Sequence, residues 1–266
     1  HRFLVADEVG LGKTLVARGV IAKSIELLLE RNVQRIDVVY ICSNAEIAQQ
    51  NIARLNVRGR GEFVHATRIT LLPKLVRQIR RQRINFFAIT PGTSFEVTTN
   101  SNGSAEERAL IFRLLRKAWG LEFKSGPLHA FRGGVRDTES FKRRILDSEK
   151  ETPDSELDET LRKAFVRAVA KERHLRASYN RIVAALPRSN SRRTPEVDLI
   201  RRTLMRDLRR ILARVCIEAL EPDLIILDEF QRFKHLLEAP ASGELADDAI
   251  DAPAELARSL FEHHSQ

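Results

Sequence analysis

Residues 7–14, Asp7-Glu8-Val9-Gly10-Leu11-Gly12-Lys13-Thr14, bring together the side chains and backbone needed to hold a triphosphate. Gly10 and Gly12 let backbone N–H groups turn inward on phosphate oxygens, and a helix starting directly behind them adds a favourable dipole. In that setting Lys13 reaches the β- and γ-phosphates, and the Thr14 hydroxyl is a ligand for Mg²⁺. A strict phosphate-binding loop has Gly where Asp7 stands. A dinucleotide fingerprint fails, because Leu15 occupies the place of its third glycine. A second segment, Leu224-Ile225-Ile226-Leu227-Asp228-Glu229-Phe230-Gln231, delivers two carboxylates at the end of an apolar run. There Asp228 would hold Mg²⁺ and Glu229 would polarise an attacking water. Asp-Glu after a strand is common by itself, but each segment supplies the half of a Mg–ATP site that the other lacks. ATP and Mg²⁺ are thus the expected cofactors, with Lys13 and Glu229 as the catalytic pair and Thr14 and Asp228 as metal ligands.

Other chemistries find little support. His174, His235 and the pair His263-His264 show no metal spacing, and Cys42 and Cys216 are too far apart in sequence for a Cys-based zinc site. The two cysteines make no disulfide framework and suit a reducing, cytoplasmic compartment. No Ser-His-Asp or Cys-His arrangement is visible. Trp119 ends a helical stripe and reads as core rather than as a base-stacking platform.

The elements that must position these residues alternate. Phe3–Ala6 reads as a strand, and Thr14 to Arg31 as a helix with Leu15, Ala22, Ile25 and Leu29 at helical spacing. Asp37–Cys42 is continuously apolar after its first residue, as a strand buried on both faces should be. Ser43 and Glu46 form a capping-box pattern, Asn85–Thr90 is the next strand, and Leu224–Leu227 is another. Strands alternating with helices imply an α/β fold, a parallel sheet with helices on both faces.

Residues 101–220 read almost wholly as helix. Ser104 and Glu107 form a capping box, and Thr152-Pro153 and Thr194-Pro195 each place an N-cap before a proline. Leu157, Leu161, Phe165 and Val169 repeat every four residues, and Val197 to Val215 carry a longer stripe. Ser125-Gly126-Pro127 and Arg132-Gly133-Gly134 read as loops between helical pieces, and 239–253 as a mobile loop. Residues 1–100 and 221–266 would then form one sheet domain, interrupted by a large, mainly helical insertion at 101–220.

The chain of 266 residues carries 45 Lys+Arg and 36 Asp+Glu, a formal charge of +9. Residues 101–220 hold 27 of the basic and 17 of the acidic side chains, so the excess belongs to the insertion, while 221–266 is acidic. Such a balance favours a polyanionic partner or a solvated basic face. Lys74, Arg77, Arg80, Arg81 and Arg83 cluster between the second and third strands, where phosphate contact and a solvated face are equally good readings. Arg201, Arg202, Arg209 and Arg210 can share a helix face; a phosphate-facing ridge is possible there, and a solvated face is the plainer account. No apolar run approaches a membrane span. The single methionine is Met205, so the chain reads as a piece of a longer protein.

Asp7–Thr14 resembles motif I of superfamily 2 helicases, particularly Swi/Snf-type translocases, in which an Asp-Glu pair precedes Gly-x-Gly-Lys-Thr. Asp228-Glu229-Phe230-Gln231 resembles their motif II, from which Phe230 and Gln231 depart. The likeness covers residues 2–95 and 221–262. It implies a P-loop NTPase fold of RecA-like type and assigns Gln231 to coupling with a second RecA-like domain in the same full-length chain. Cys42-Ser43-Asn44 falls where motif Ia sits, and Thr90-Pro91-Gly92-Thr93-Ser94 falls near motif Ib. By resemblance Ser43, Asn44, Thr90 and Thr93 face a nucleic-acid backbone, although ordinary caps and turns have the same composition. Motif III is not found before Gln266.

The resulting expectation is the first motor domain of a nucleic-acid-dependent ATPase, a helicase or translocase acting on duplex DNA. Two alternatives stay open: a P-loop nucleotide switch that recruits a protein partner, and an RNA-dependent helicase.

Overall fold

A computed structural model describes residues 12–42, 50–51, 54–55, 68–89, 102–191, 193–220 and 222–228, apart from the side chains of 76–78, 80, 81, 88 and 89. The expected strand at 3–6, the capping box at Ser43 and the loop at 239–253 lie outside these residues.

The run Ile36–Ile41, with β-branched residues at four of its six positions, forms β1 and is buried along its whole length. β2 (Ile84–Ile89) and β3 (Leu224–Leu227) flank it, and both pair parallel to it in the order β2-β1-β3. Ile36 stands opposite Ile84, and Val38 opposite Leu224. The two-residue period of a strand divides the sheet into two apolar faces. Ile36, Val38, Tyr40 and Phe86 pack with Ile21 and Ile25 of α1 (Lys13–Glu30). Val39, Ile41 and Phe87 face the opposite way, into a core shared with the helices of residues 105–218. The α/β expectation is met: among the described strands the sheet is parallel and has a helical layer on each face.

Helix α2 (Leu72–Arg81) follows a 3₁₀ turn at Ile69–Leu71 and joins β2 through two residues. Six further helices follow: α3 (Ala105–Trp119), α4 (Ser125–Phe131), α5 (Thr138–Glu151), α6 (Glu159–Lys171), α7 (Arg173–Ala185) and α8 (Pro195–Glu218). Short polar side chains set several starts. Ser104 and Glu107 form both bonds of the expected capping box, and Thr194 accepts from the Val197 amide one residue before Pro195. Asp137 and Asp158 cap α5 and α6. The stripe Leu157, Leu161, Phe165 and Val169 is buried, as are Leu204, Leu208, Ile211 and Val215. One cluster therefore runs from the sheet face through the whole helical body. Among the described residues no helix is long and apolar enough to cross a membrane.

Four expectations are corrected. Thr152 does not open a helix: it closes α5, and α6 begins at Glu159. The reason is tertiary, because buried Arg113 of α3 donates to the Thr152 carbonyl and to Asp154, which holds this segment as a turn. Ser125-Gly126-Pro127 is the first turn of α4 rather than a loop. Proline is tolerated there because first-turn N–H groups have no intrahelical acceptor, and a Cβ on Gly126 would stand 2.8 Å from Val183 of α7. Leu15 lies outside the packed stripe of α1, with 71% of its surface exposed. Finally, Arg201 and Arg209 are each only 1% exposed, so α8 presents neither an arginine ridge nor the solvated face expected at these two positions. Trp119, by contrast, packs at the core edge, 5.1 Å from the Tyr179 ring.

Candidate functional site

Gly12 precedes α1 with φ 88°, in the left-handed region that an L side chain enters at a cost. Its carbonyl accepts from the Leu15 and Val16 amides at 2.8 and 3.1 Å. An added Cβ would meet nothing within 4 Å, so the backbone torsion, not crowding, calls for glycine. Lys13 is the first helical residue, and Thr14 follows it, partly buried.

The direction of α1 follows from its other end. Arg31 caps the helix and only residues 31–35 separate it from β1, so the helix must run antiparallel to the strand. Eighteen residues at 1.5 Å each span about 27 Å, whereas the six residues of β1 span about 20 Å. An antiparallel course of that length directs Lys13 and Thr14 toward the carboxyl end of the sheet.

Asp228 occupies that same end. Its backbone N–H donates to the Ile41 carbonyl at 2.8 Å, tying the exit of β3 to the last residue of β1. The Asp228 carboxylate accepts a short hydrogen bond from the Tyr40 hydroxyl and a second, at 3.3 Å, from Asn51 Nδ2. Asn51 also donates to the Tyr40 oxygen at 3.0 Å, closing a triangle. Burial, reinforced by the neighbouring carboxylate, raises the Tyr40 pKa far above its ordinary value, so the phenol stays protonated and donates. Connections leave β1 for β2 on one side and return to β3 on the other. Among the described strands Asp228 therefore sits beside the point where the strand order reverses, a place where open parallel sheets bind ligands.

The amino end of the sheet is polar for a different reason. Asp37 accepts from Asn85 Nδ2 at 2.8 Å and pairs with Arg35, while its own amide donates to Asp223. Burial raises the Asp37 carboxyl pKa against the opposing pull of Asn85 and Arg35. These contacts link all three strands and pin their register.

The Thr14 hydroxyl and the Asp228 carboxylate are hard oxygen donors of the kind Mg²⁺ prefers. Among the described residues no group of three or more His, Cys, Asp or Glu is gathered. Asp7, Glu8, Val9, Gly10, Leu11, Ser43, Asn44, Thr90, Thr93, Glu229 and Gln231 lie outside the described residues. Arg77, Arg80 and Arg81 are on α2, with side chains outside them. Lys74 of the same cluster pairs with Glu106 at 2.7 Å and Glu151 at 3.8 Å, so it ties α2 to the helical body.

Sequence reasoning missed Tyr40 and Asn51. The available signal was small: a hydroxyl-bearing aromatic next to the last position of a central strand that is aliphatic apart from Asp37. Comparison with known proteins gives no match to a family model, a curated protein or a solved structure.

Proposed function

We propose that the chain is the Mg–ATP-binding motor domain of a nucleic-acid-dependent ATPase, acting on duplex DNA within a longer protein that carries a second RecA-like domain. Two observations support the reading: Gly12-Lys13-Thr14 opens α1, and Asp228 leaves β3 of the parallel sheet with its carboxylate fastened by Tyr40 and Asn51. The resemblance of Asp7–Thr14 and Asp228–Gln231 to superfamily 2 motifs I and II supports it independently.

In this reading the residues act mainly by positioning and charge neutralisation. Backbone N–H groups at the start of α1 and the Lys13 ammonium take the phosphate oxygens. Thr14 and Asp228 would hold Mg²⁺, which when bound supplies charge neutralisation at the β- and γ-phosphates. Tyr40 and Asn51 orient the Asp228 carboxylate, and Glu229 accepts a proton from the attacking water. An arginine finger from a second domain can be worth ~10³–10⁵ in rate, so this chain alone is expected to bind ATP and turn it over slowly.

The test is Lys13→Ala, read by a fluorescent ATP analogue and by ATPase assays with duplex DNA, single strands and RNA. ATP binding is expected to be lost while DNA binding at low salt persists. Unchanged nucleotide affinity in the variant would remove the reading. Stimulation by RNA alone would replace the track, and nucleotide-dependent capture of a protein without any nucleic-acid effect would favour a switch.

A further inference from the structure

We propose that the helical body contains a second anion site, separate from the sheet, in which Arg108, Arg132, Arg193 and Arg201 hold one phosphate-sized oxyanion. Arg108 belongs to α3, Arg132 to the turn after α4, Arg193 to the segment before α8 and Arg201 to α8 itself. Arg201 is 1% exposed and Arg108 is 4% exposed.

The case rests on unmatched donors and unmatched charge. Arg201 Nε and Nη2 both donate to Asp198 Oδ1, at 3.1 and 2.9 Å. Arg193 reaches that oxygen at 3.5 Å, and Arg202 reaches Oδ2 at 3.3 Å, so one carboxylate serves three guanidinium groups. Among the described residues Arg108 donates only to backbone carbonyls, including those of Asn102 at 3.0 Å and Arg132 at 3.2 Å. Arg132 donates to the His129 ring and to the carbonyls of Val135 and Arg136. Carbonyls fix the guanidinium planes without cancelling their charge.

Among the described residues four buried arginine nitrogens have no acceptor, and three of them, Arg108 Nε, Arg193 Nε and Arg201 Nη1, belong to this cluster; the fourth is Arg210 Nε. Arg113 shows what a purely structural buried arginine looks like in this fold. All its donor atoms are engaged, with Ser148, Thr152 and Asp154. Arg209 is likewise matched by buried Glu107. Among the described residues the Arg201 cluster has only the partly exposed Asp198 carboxylate, shared by three guanidinium groups.

Burial and then the charge of Arg201 lower the Arg108 pKa to about 10, which still leaves it a cation at neutral pH. Arg201 also opposes Arg132, and Arg132 opposes Arg193. Guanidinium groups stay charged in proteins, so repulsion of this kind is relieved by an anion rather than by proton loss. A phosphoryl group offers the several oxygens that forked donors engage two at a time. Arg108 and Arg201 lie too deep for a polymer strand, while Arg193 at 17% and Arg202 at 45% side-chain exposure mark the open side, so a small phosphate or phosphate monoester fits.

The experiment is thermal unfolding of the chain in rising inorganic phosphate, with ionic strength held constant by chloride. A saturable rise in Tm of about 3–5 °C is expected near ten times Kd. The rise should survive Lys13→Ala, which disables the glycine loop, and disappear in Arg193→Gln. Glycerol 3-phosphate run in parallel separates a free ion from an organic monoester, and stabilisation by either supports the site. Phosphorus NMR line broadening of inorganic phosphate by Arg193→Gln reads binding independently of any change in stability. No gain over chloride, or equal gain in Arg193→Gln, overturns the proposal. Loss of the gain in Lys13→Ala alone also overturns it and places the phosphate at the glycine loop.

Discussion

Replacing Glu107 by Gln tests the polar junction that joins the helical body to the sheet layer. Glu107 and Arg209 are each 1% exposed and meet at 3.2 Å. Glu107 Oε1 accepts from Arg209 Nε and from the Thr70 hydroxyl at 2.7 Å; Oε2 accepts from the Ser104 amide at 2.7 Å and from Arg68 at 3.2 Å. All four neighbours are donors, so the NH₂ of a glutamine faces donors whichever way it turns. The better choice points it at Thr70, whose hydroxyl can rotate to accept, and withdraws the carboxylate oxygen from Arg209 Nε. An unmatched buried donor costs about 1–3 kcal/mol, and breaking a buried ion pair about 3–5 kcal/mol. The expected loss is therefore about 3 kcal/mol at pH 7, or roughly 6–12 °C in Tm. Burial alone would raise the Glu107 pKa, but Arg209, Thr70, Ser104 and Arg68 outweigh it and the net shift is downward. A carboxyl depressed in the folded state contributes stability above its unfolded pKa of about 4.3 and loses it as pH falls through the folded value. Urea unfolding from pH 7 downward should show the gap between wild type and Glu107→Gln narrowing in acid. A gap under about 1 kcal/mol at pH 7, or one that widens on acidification, would refute the reasoning.

Gly12→Ala forces a side chain into a left-handed torsion at a cost of about 1–2 kcal/mol, and amide exchange at Leu15 and Val16 should accelerate. Tyr40→Phe deletes one donor to Asp228 and should lower urea stability by about 1–2 kcal/mol with an unchanged far-UV spectrum; full retention of stability would show that the triangle with Asn51 is dispensable. Phe165→Ala empties a fully buried position in α6, and its unfolding free energy should fall by about 3–5 kcal/mol.

The strands were legible because continuous apolar runs have few alternatives. Leu224–Leu227 agrees at both ends, Ile36–Ile41 begins and ends one residue earlier than expected, and Ile84–Ile89 begins one residue earlier. Capping chemistry was equally local, so Ser104, Glu107 and Thr194 do what their spacing implies. Thr152 and Ser125 failed for the opposite reason. Arg113, far along the chain, holds the Thr152 segment as a turn, and Gly126 in the first turn of α4 leaves room only for close packing against Val183.

For the site, residue type and spacing alone marked Gly12, Lys13, Thr14 and Asp228 as a phosphate and Mg²⁺ set, because those chemistries demand such groups. Tyr40 and Asn51 lie 188 and 177 positions from Asp228, and only parallel pairing of β1 with β3 puts them on its carboxylate. Charge was the least legible quantity. The sequence shows a basic excess in 101–220, but whether an arginine is a solvated face, a matched buried cation or an unmatched donor depends on what covers it. Packing alone made Arg113 and Arg209 structural and left Arg108, Arg193 and Arg201 with donors to spare, since burial and partner geometry are properties of the folded chain.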